Sequence, residues 1–370
     1  MIYGTAFLLS LFIFLIVFPP FSYYNEENTY MEESTMEYRI LGKSGLKVSR
    51  LGFGGIPIQR IDAEGTKTLM HQLKDAGVNY IDTARGYTVS EEYLGYALEG
   101  IREHFIIATK SMSRDKEGMA RDIDISLKNL RTDYIDLYQI HNATPEQLQT
   151  VMAPGGALEA LLEAKAAGKI GHIGFTTHGL ESFQMALEQD WVESIMFPYN
   201  IVENQAEKLM KACTEKNIGF IVMKPLAGGA IEDATLALRY ICTNDDVTVA
   251  IPGMADPKEL DQNIAAVNNT APLTTEEKAK INDIRSQLGT QFCRRCNYCQ
   301  PCAAGINISG VFLFEGYLSR YGLGDWAKER YAALPKKASD CIGCGACEAR
   351  CPYNLPIREM LKKAAEKFGE

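Results

Sequence analysis

The sequence predicts an α/β protein: a closed (β/α)8 barrel of the TIM type, followed by a small α-helical, cysteine-rich C-terminal domain. Three observations point there. Eight short strand-like runs alternate with helix-like segments between positions 51 and 251. No dinucleotide-binding fingerprint follows the first run. Eight of the ten cysteines lie between Cys293 and Cys351.

The chain opens on an apolar stretch, Ile2 to Phe18, ended by Pro19-Pro20. A membrane helix takes roughly 20 apolar residues, so this run is borderline. No Lys or Arg precedes Arg39, and there is no twin-arginine, so the basic start of an export leader is missing. Three readings follow: a membrane anchor through residues 2–18 with the domains facing the cytoplasm, a cleaved leader, or upstream sequence joined to a protein that opens at Met36. The third is preferred, because a coherent domain begins directly after Met36. The expected organisation is an extension over 1–35, the barrel over 36–288 and the cysteine-rich domain over 289–370. The expected compartment is the cytoplasm, where thiols stay reduced.

After Met36 comes a polar hairpin, Tyr38 to Val48, turning at Gly42 and Gly45. The strands expected next are 51–55, 79–83, 105–110, 135–141, 170–175, 194–199, 219–224 and 247–251. Each is short and rich in Val, Ile, Phe or Tyr. Helical periodicity fills the gaps, as in 63–76, 119–130, 157–167 and 205–216. Gly77, Gly168 and Gly219 stand just beyond three helices, where a left-handed cap favours glycine. Eight β-then-α units argue for a parallel sheet closed into a barrel. An open doubly wound sheet would show G-x-G-x-x-G after its first strand. Leu51-Gly52-Phe53-Gly54-Gly55 does not. A final helix over 274–288 starts on a capping box, Thr274 with Glu277.

Composition narrows the function. Apolar residues make up 46%, ordinary for a globular core, and the formal net charge is -9 with no long Lys/Arg run. Phosphate backbones need a basic footprint, so a nucleic-acid partner is excluded. Cys213 and Cys242 stand alone in apolar surroundings and read as plain buried thiols.

In a barrel the chemistry sits at the C-terminal strand ends. Those ends carry Asp82, Lys110 and His141, with Tyr87 in the loop after Asp82. The set suits carbonyl chemistry, in which hydride goes to carbon and a proton to the developing alkoxide. A phenol has a pKa of about 10. A nearby Lys110 ammonium is expected to lower it, with Asp82 holding Lys110 charged and His141 orienting the substrate oxygen.

These residues carry a resemblance to the aldo-keto reductases. Asp82-Thr83-Ala84-Arg85-Gly86-Tyr87, Ser90-Glu91 and Leu94-Gly95 resemble that family's first signature, and Ala108-Thr109-Lys110 and Gln139-Ile140-His141 resemble its Lys and His motifs. The resemblance spans about 36–288. It implies a catalytic tetrad of Asp82, Tyr87, Lys110 and His141, and NADP or NAD bound without a Rossmann fold. Gly54 would lie at that site. Thr176 and Thr177 would meet the nicotinamide amide. Lys224, Pro225, Leu226 and the glycines at 228 and 229 resemble the pyrophosphate loop, where Gly228 lets backbone N–H groups approach phosphate. Ile251, Gly253, Met254, Gln262 and Asn263 match the segment around the adenosine half. Gly253 and Glu259 stand where many members carry basic residues for a 2′-phosphate, so a weakened NADP preference is expected. Met196 and Met223 replace a commonly found Gln and aromatic, which weakens the expectation of tight cofactor binding.

The tail carries its own signal. Cys341-x2-Cys344-x2-Cys347-x3-Cys351-Pro352 has the spacing of a bacterial ferredoxin site. Cys293, Cys296, Cys299 and Cys302 repeat a two-residue gap without the final proline. Eight thiolates suit two [4Fe–4S] clusters, with Cys302 and Cys351 exchanged between them. Structural zinc is the main competitor. The aromatics between the cysteine sets read as a packed helical linker. The expected activity is NAD(P)H-dependent reduction of small aldehydes or ketones, or the reverse, coupled to iron–sulfur electron transfer and a possible protein electron partner. A redox-sensing nicotinamide-binding regulator with structural clusters is the alternative.

Overall fold

In the computed structural model the described residues are 1, 36–289 and 291–370. The expectations for the apolar stretch 2–18 and the extension to residue 35 lie outside them. Among the described residues no helix is long and apolar enough to cross a membrane.

A hairpin comes first, β1 (Tyr38–Ile40) and β2 (Lys47–Ser49), antiparallel. The chain then alternates: β3 (Phe53–Gly54), α1 (Ala63–Asp75), β4 (Tyr80–Asp82), α2 (Ser90–Ala97), β5 (Ile106–Ser111), α3 (Lys116–Asn129), β6 (Ile135–Ile140), α4 (Pro145–Met152), α5 (Ala157–Ala166) and β7 (Ile170–Thr176). There follow α6 (Leu180–Leu187), β8 (Ser194–Pro198), α7 (Glu207–Glu215), β9 (Gly219–Met223), α8 (Ala234–Cys242), β10 (Val249–Ala250), α9 (Pro257–Asn268) and α10 (Thr275–Leu288). The tail contributes α11 (Ile308–Ser319), α12 (Gly324–Ala332), α13 (Ala346–Ala349) and α14 (Ile357–Phe368).

Strands β3 to β10 lie in sequence order in one parallel sheet. Parallel bridges Leu51 to Ala250 and Gly54 to Gly253 join the first strand to the last, so the sheet curls shut. Inside, Tyr80, Ala108, Leu137, Met196, Ile221 and Val249 form one buried cluster. Leu41 and Val48 of the hairpin join it, sealing the end opposite the strand C-termini. A larger cluster, including Leu73, Ile81, Leu161, Phe183 and Phe220, fills the layer between strands and helices.

Local rules explain the joints. Gly77 and Gly168 take the expected left-handed φ of 77° and 72°. Gly219 does not cap α7: Asn217 takes the left-handed turn at φ 54°, and Gly219 is the first residue of β9. Its glycine answers packing instead, since a Cβ there would stand 2.5 Å from Leu41 Cδ1. The capping box at Thr274 and Glu277 forms as expected.

Residues 35–370 are one compact unit, so tail and barrel share a body. The tail has its own apolar cluster, with Ile306, Val311, Leu355 and Leu361 packed among the cysteines. Loop residues 201–203 after β8 are its seat. From the tail, Arg294 Nε donates to Val202 O at 3.0 Å and Arg295 pairs with Glu203 at 3.1 Å, while Arg285 of the barrel's own α10 donates from Nε to Ile201 O at 2.9 Å.

Candidate active site and cysteine cavities

Adjacent strands deliver the first three groups side by side. In register, Asp82 of β4 faces Ala108 of β5, and Lys110 of β5 faces Gln139 of β6, with His141 just beyond. Lys110 and Asp82, each 2% exposed, form a direct ion pair. Lys110 Nζ also donates to Thr83 O at 2.7 Å, and Gln139 Nε2 donates to the other Asp82 oxygen at 3.0 Å. Lys110 Nζ lies 4.8 Å from the centre of the Tyr87 ring, which meets His141 edge-on at 6.1 Å. The four side chains singled out from the sequence are therefore neighbours.

Their electrostatics depart from expectation at one point. The sequence argument has Lys110 lowering the Tyr87 pKa, but burial pushes it well above its ordinary value, and nearby Asp82, Tyr317 and Tyr321 add to the rise. Exclusion from water dominates, and the Lys110 ammonium is already engaged by Asp82 and Thr83 O, 4.8 Å from the ring centre. Burial holds His141 well below its usual range, and Lys110, Arg114 and Lys224 act in the same direction, so its imidazole is neutral. Burial also draws Lys110 down and Asp82 up, while each favours the charged form of the other.

The residues expected around a dinucleotide lie on the strands, loops and helices of the same barrel. Gly54 and Gly253 meet backbone to backbone; a Cβ on Gly253 would stand 2.5 Å from Pro57 Cγ, so that position admits no basic side chain without rearrangement. Thr176 Oγ1 accepts from Asn142 N at 2.9 Å, and Thr177 Oγ1 from Gly179 N at 3.1 Å. Lys224, Ala227, Gly228 and Gly229 all have positive φ, turning the loop that contains Pro225 and Leu226. Ile251, Met254 and Asn263 are buried, and Gln262 Nε2 donates to Thr235 at 3.2 Å. Glu259 belongs to the capping box of α9, its Oε2 accepting from Ala255 N at 2.7 Å and Asp256 N at 3.2 Å. His141 Nδ1 and His178 Nε2 are buried without a hydrogen-bond partner, so the mouth keeps polar atoms that a bound polar ring can satisfy.

Sequence reasoning misses several of these neighbours. His178 Nδ1 lies 2.9 Å from Asn142 Oδ1. The aromatics between the cysteine sets do pack as a helical linker, but over the barrel. Ile56, from the loop after β3, joins Tyr317, Tyr321 and Trp326 in one cluster. Arg320 Nε donates to Gly228 O at 3.1 Å, and a Cβ on Gly228 would stand 3.0 Å from the Tyr321 hydroxyl. Tyr317 and Tyr321 thus roof the site beside Tyr87. The only sequence signal was the density of aromatics, which does not say what they cover.

In the tail, Cys293, Cys296, Cys299 and Cys351 line one small cavity. Cys302, Cys341, Cys344 and Cys347 line a second. Each takes three cysteines from one set and one from the other. No disulfide forms among these eight. Arg350 Nη2 stitches the sets together, donating to Cys299 O and Pro301 O at 2.8 Å. Among the described residues no group of three or more His, Cys, Asp or Glu is arranged to hold a metal ion. Four thiols around a void suit a cubane, whose irons lie apart, better than one tetrahedral ion.

Comparison with known proteins agrees with this geometry. Residues 50–235 match the aldo/keto reductase family, and residues 292–356 match a 4Fe-4S dicluster domain. L-galactose dehydrogenase of Arabidopsis thaliana is 27% identical over 298 residues, covering 66% of this chain and 92% of that protein. Aldo-keto reductase YhdN of Bacillus subtilis is 28% identical over 265 residues, 66% of this chain and 78% of its own. Among solved structures, the holo form of the aldo-keto reductase AKR11C1 from Bacillus halodurans superposes with a TM-score of 0.59 at 28% identity, covering 67% of this chain and 96% of that one.

Proposed function

The chain belongs to the aldo/keto reductase family and carries a 4Fe-4S domain, and we propose that it reduces small aldehydes or ketones with a nicotinamide cofactor, its barrel coupled to electron transfer through two [4Fe–4S] clusters. The observation that carries this reading is the meeting of Tyr87, Lys110, Asp82 and His141 at one mouth. The bound nicotinamide would supply the hydride, and the clusters one-electron steps.

Tyr87, protonated by virtue of its burial, gives its proton to the developing alkoxide. Neutral His141 orients the carbonyl oxygen. Asp82 and Thr83 O hold Lys110 beside the phenol ring, 4.8 Å from its centre, so that the pair positions Tyr87. Thr176 and Thr177, the loop from Lys224 to Gly229, and Gly54, Ile251, Gly253, Met254, Gln262 and Asn263 are assigned to the cofactor. The boundary between barrel and tail is placed at 288/289.

NADH is assigned over NADPH. The Glu259 carboxylate accepts from the Ala255 and Asp256 amides at the start of α9, so both a negative charge and filled donors stand in the segment given to the adenosine half. Clamping by a residue of like charge should make kcat/KM for NADH at least about tenfold higher. A reversed preference would defeat the assignment.

Coupling to the tail is supported by proximity. Arg295, two residues from Cys293, pairs with Glu203 at the rim and lies close enough to Lys224 to lower its pKa. The cavity containing Cys293 is thus the one beside the barrel mouth. Once the hydride has gone to the carbonyl, returning the oxidised nicotinamide to its reduced form takes two electrons and one proton; each cluster would pass one electron at a time from a protein electron donor, so a pair of clusters would match one cofactor turnover.

The test is NADH oxidation with a simple aldehyde by anaerobically purified protein, with loss of turnover in Tyr87→Phe. The roof of Tyr317 and Tyr321 over Tyr87 keeps a second reading alive, a cofactor-binding regulator. Cofactor binding without multiple turnover would establish that reading and defeat the first.

A further inference from the structure

We infer that the carbonyl substrate carries an anionic group, a carboxylate or a phosphate, bound by Arg114 together with Lys224; this rests on the reductase reading and names its substrate class.

Arg114 lies on the loop between β5 and α3, four residues beyond Lys110. Its Nη2 donates to the backbone oxygen of His141 at 2.7 Å and to Gln147 Oε1 at 3.3 Å. That fixes the guanidinium beside the imidazole assigned to the substrate oxygen. Its Nε and Nη1 are buried and have no acceptor. Among the described residues it makes no ion pair, and burial is the one influence that displaces its pKa, to about 10. Native proteins leave few buried donors unpaired, and fewer that carry full charge. Such a group is costly to the folded chain and becomes satisfied once an anion reaches it.

Lys224 faces the same imidazole from the other side. It too makes no ion pair among the described residues. The nearby Glu203 carboxylate is spent on Arg295 at 3.1 Å and Asn200 Nδ2 at 2.8 Å. Lys224 also holds a left-handed φ of 55°, a strained backbone for a residue with a Cβ. Asn200 Nδ2 pins its carbonyl at 3.0 Å. Both Lys224 and Arg114 depress the His141 pKa, which places both charges near that ring. The third cation there, Lys110, is neutralised by Asp82. A buried, unpaired guanidinium and a buried amine, the latter pushed toward its neutral form by burial and by Arg295, therefore flank a neutral hydrogen-bonding group, and an anion reaching them would favour the charged form of Lys224. The substrate that fits has its C=O at Tyr87 and His141 and a negative group a few bonds away.

Lys224 opens the loop assigned to the cofactor pyrophosphate, so its charge alone does not separate cofactor from substrate. Arg114 does, because it comes from the opposite side of the mouth. The decisive comparison uses matched aldehydes: 4-carboxybenzaldehyde against benzaldehyde, and glyceraldehyde 3-phosphate against glyceraldehyde. The charged member of at least one pair should have a kcat/KM at least about tenfold higher, through KM. Arg114→Gln should collapse that ratio towards one, and Arg114→Lys should retain part of it. The pair that responds distinguishes carboxylate from phosphate. In parallel, calorimetry of the full chain with benzoate, benzamide and inorganic phosphate reads anion binding without turnover. Binding of benzoate or phosphate that is lost in Arg114→Gln supports the inference even if no aldehyde is reduced, an outcome that overturns only the reductase reading. Ratios near one together with no anion binding, or an anion preference untouched by Arg114→Gln, overturn the inference. A Lys224→Gln variant that raises KM for NADH alone would leave Arg114 as the sole anion ligand and overturn the part given to Lys224.

Discussion

Tyr87 and His141 are both neutral for the same reason, exclusion from water, and this sets a direction on the chemistry. A phenol pushed up remains an acid over the whole working range, and an imidazole pushed down remains uncharged. Reduction needs the protonated phenol and oxidation needs the phenolate. Reductive kcat should therefore stay flat between about pH 6 and 9, while alcohol oxidation climbs about tenfold per pH unit. A reductive rate falling through neutrality would show the phenol ionising early. Glu91 shows the other use of buried charge. It is 1% exposed and satisfied by Arg85 at 2.6 Å, Ser126 at 2.7 Å and Thr109 at 2.8 Å. Glu91→Ala should cost about 3 kcal/mol in urea unfolding, since it strands a guanidinium and two hydroxyls. At this scale the sequence names the tetrad but misjudges the balance within it. Residue type gives the ordinary pKa of Tyr87; only packing shows that desolvation outweighs Lys110.

Elements were legible where the pattern is local. All eight strands fall within or beside the expected stretches, because short β-branched runs punctuated by helical periods depend on neighbours in sequence. Gly219 was misassigned because its glycine serves a distant contact with Leu41. Gly95, noted only as part of a motif, is similar. A Cβ there would stand 2.1 Å from Asn129 O, so α2 rests directly on the end of α3. Backbone cannot yield as a side chain tip can. Gly95→Ala should destabilise the barrel by about 1–3 kcal/mol, visible as a lowered urea midpoint. The capping box of α9 was equally unreadable as chemistry. Glu259 is expected to repel a phosphate; the structure shows its carboxylate accepting from the Ala255 and Asp256 amides at the start of α9.

For the whole molecule, the exchange of Cys302 and Cys351 between cavities is the arrangement the ferredoxin spacing implies. It leads to a crossed outcome. Cys302→Ser should cost the cluster of Cys341, Cys344 and Cys347, and Cys351→Ser the cluster of Cys293, Cys296 and Cys299. Each variant should retain about half of the iron. Both variants losing the cluster of their own sequence neighbours would show the exchange to be wrong. What the sequence could not show is where the segment between the two sets lies, because its contacts with Ile56 and Gly228 join positions nearly a hundred or more residues apart.

That exchange has a mechanical side. Residues 303–340 join the two cysteine sets, and under the proposed exchange both ends of this segment would be tied to the same pair of clusters. Neither end could then slide independently of the other. If a dinucleotide needs this segment to move, the tail would rock as a piece about its seat at 201–203 or bend near Gly322, a glycine with a left-handed φ of 65°. Hydrogen exchange that quickened at 320–324 alone on adding NADH would identify the bend, whereas uniform quickening across 293–351 would identify the rocking.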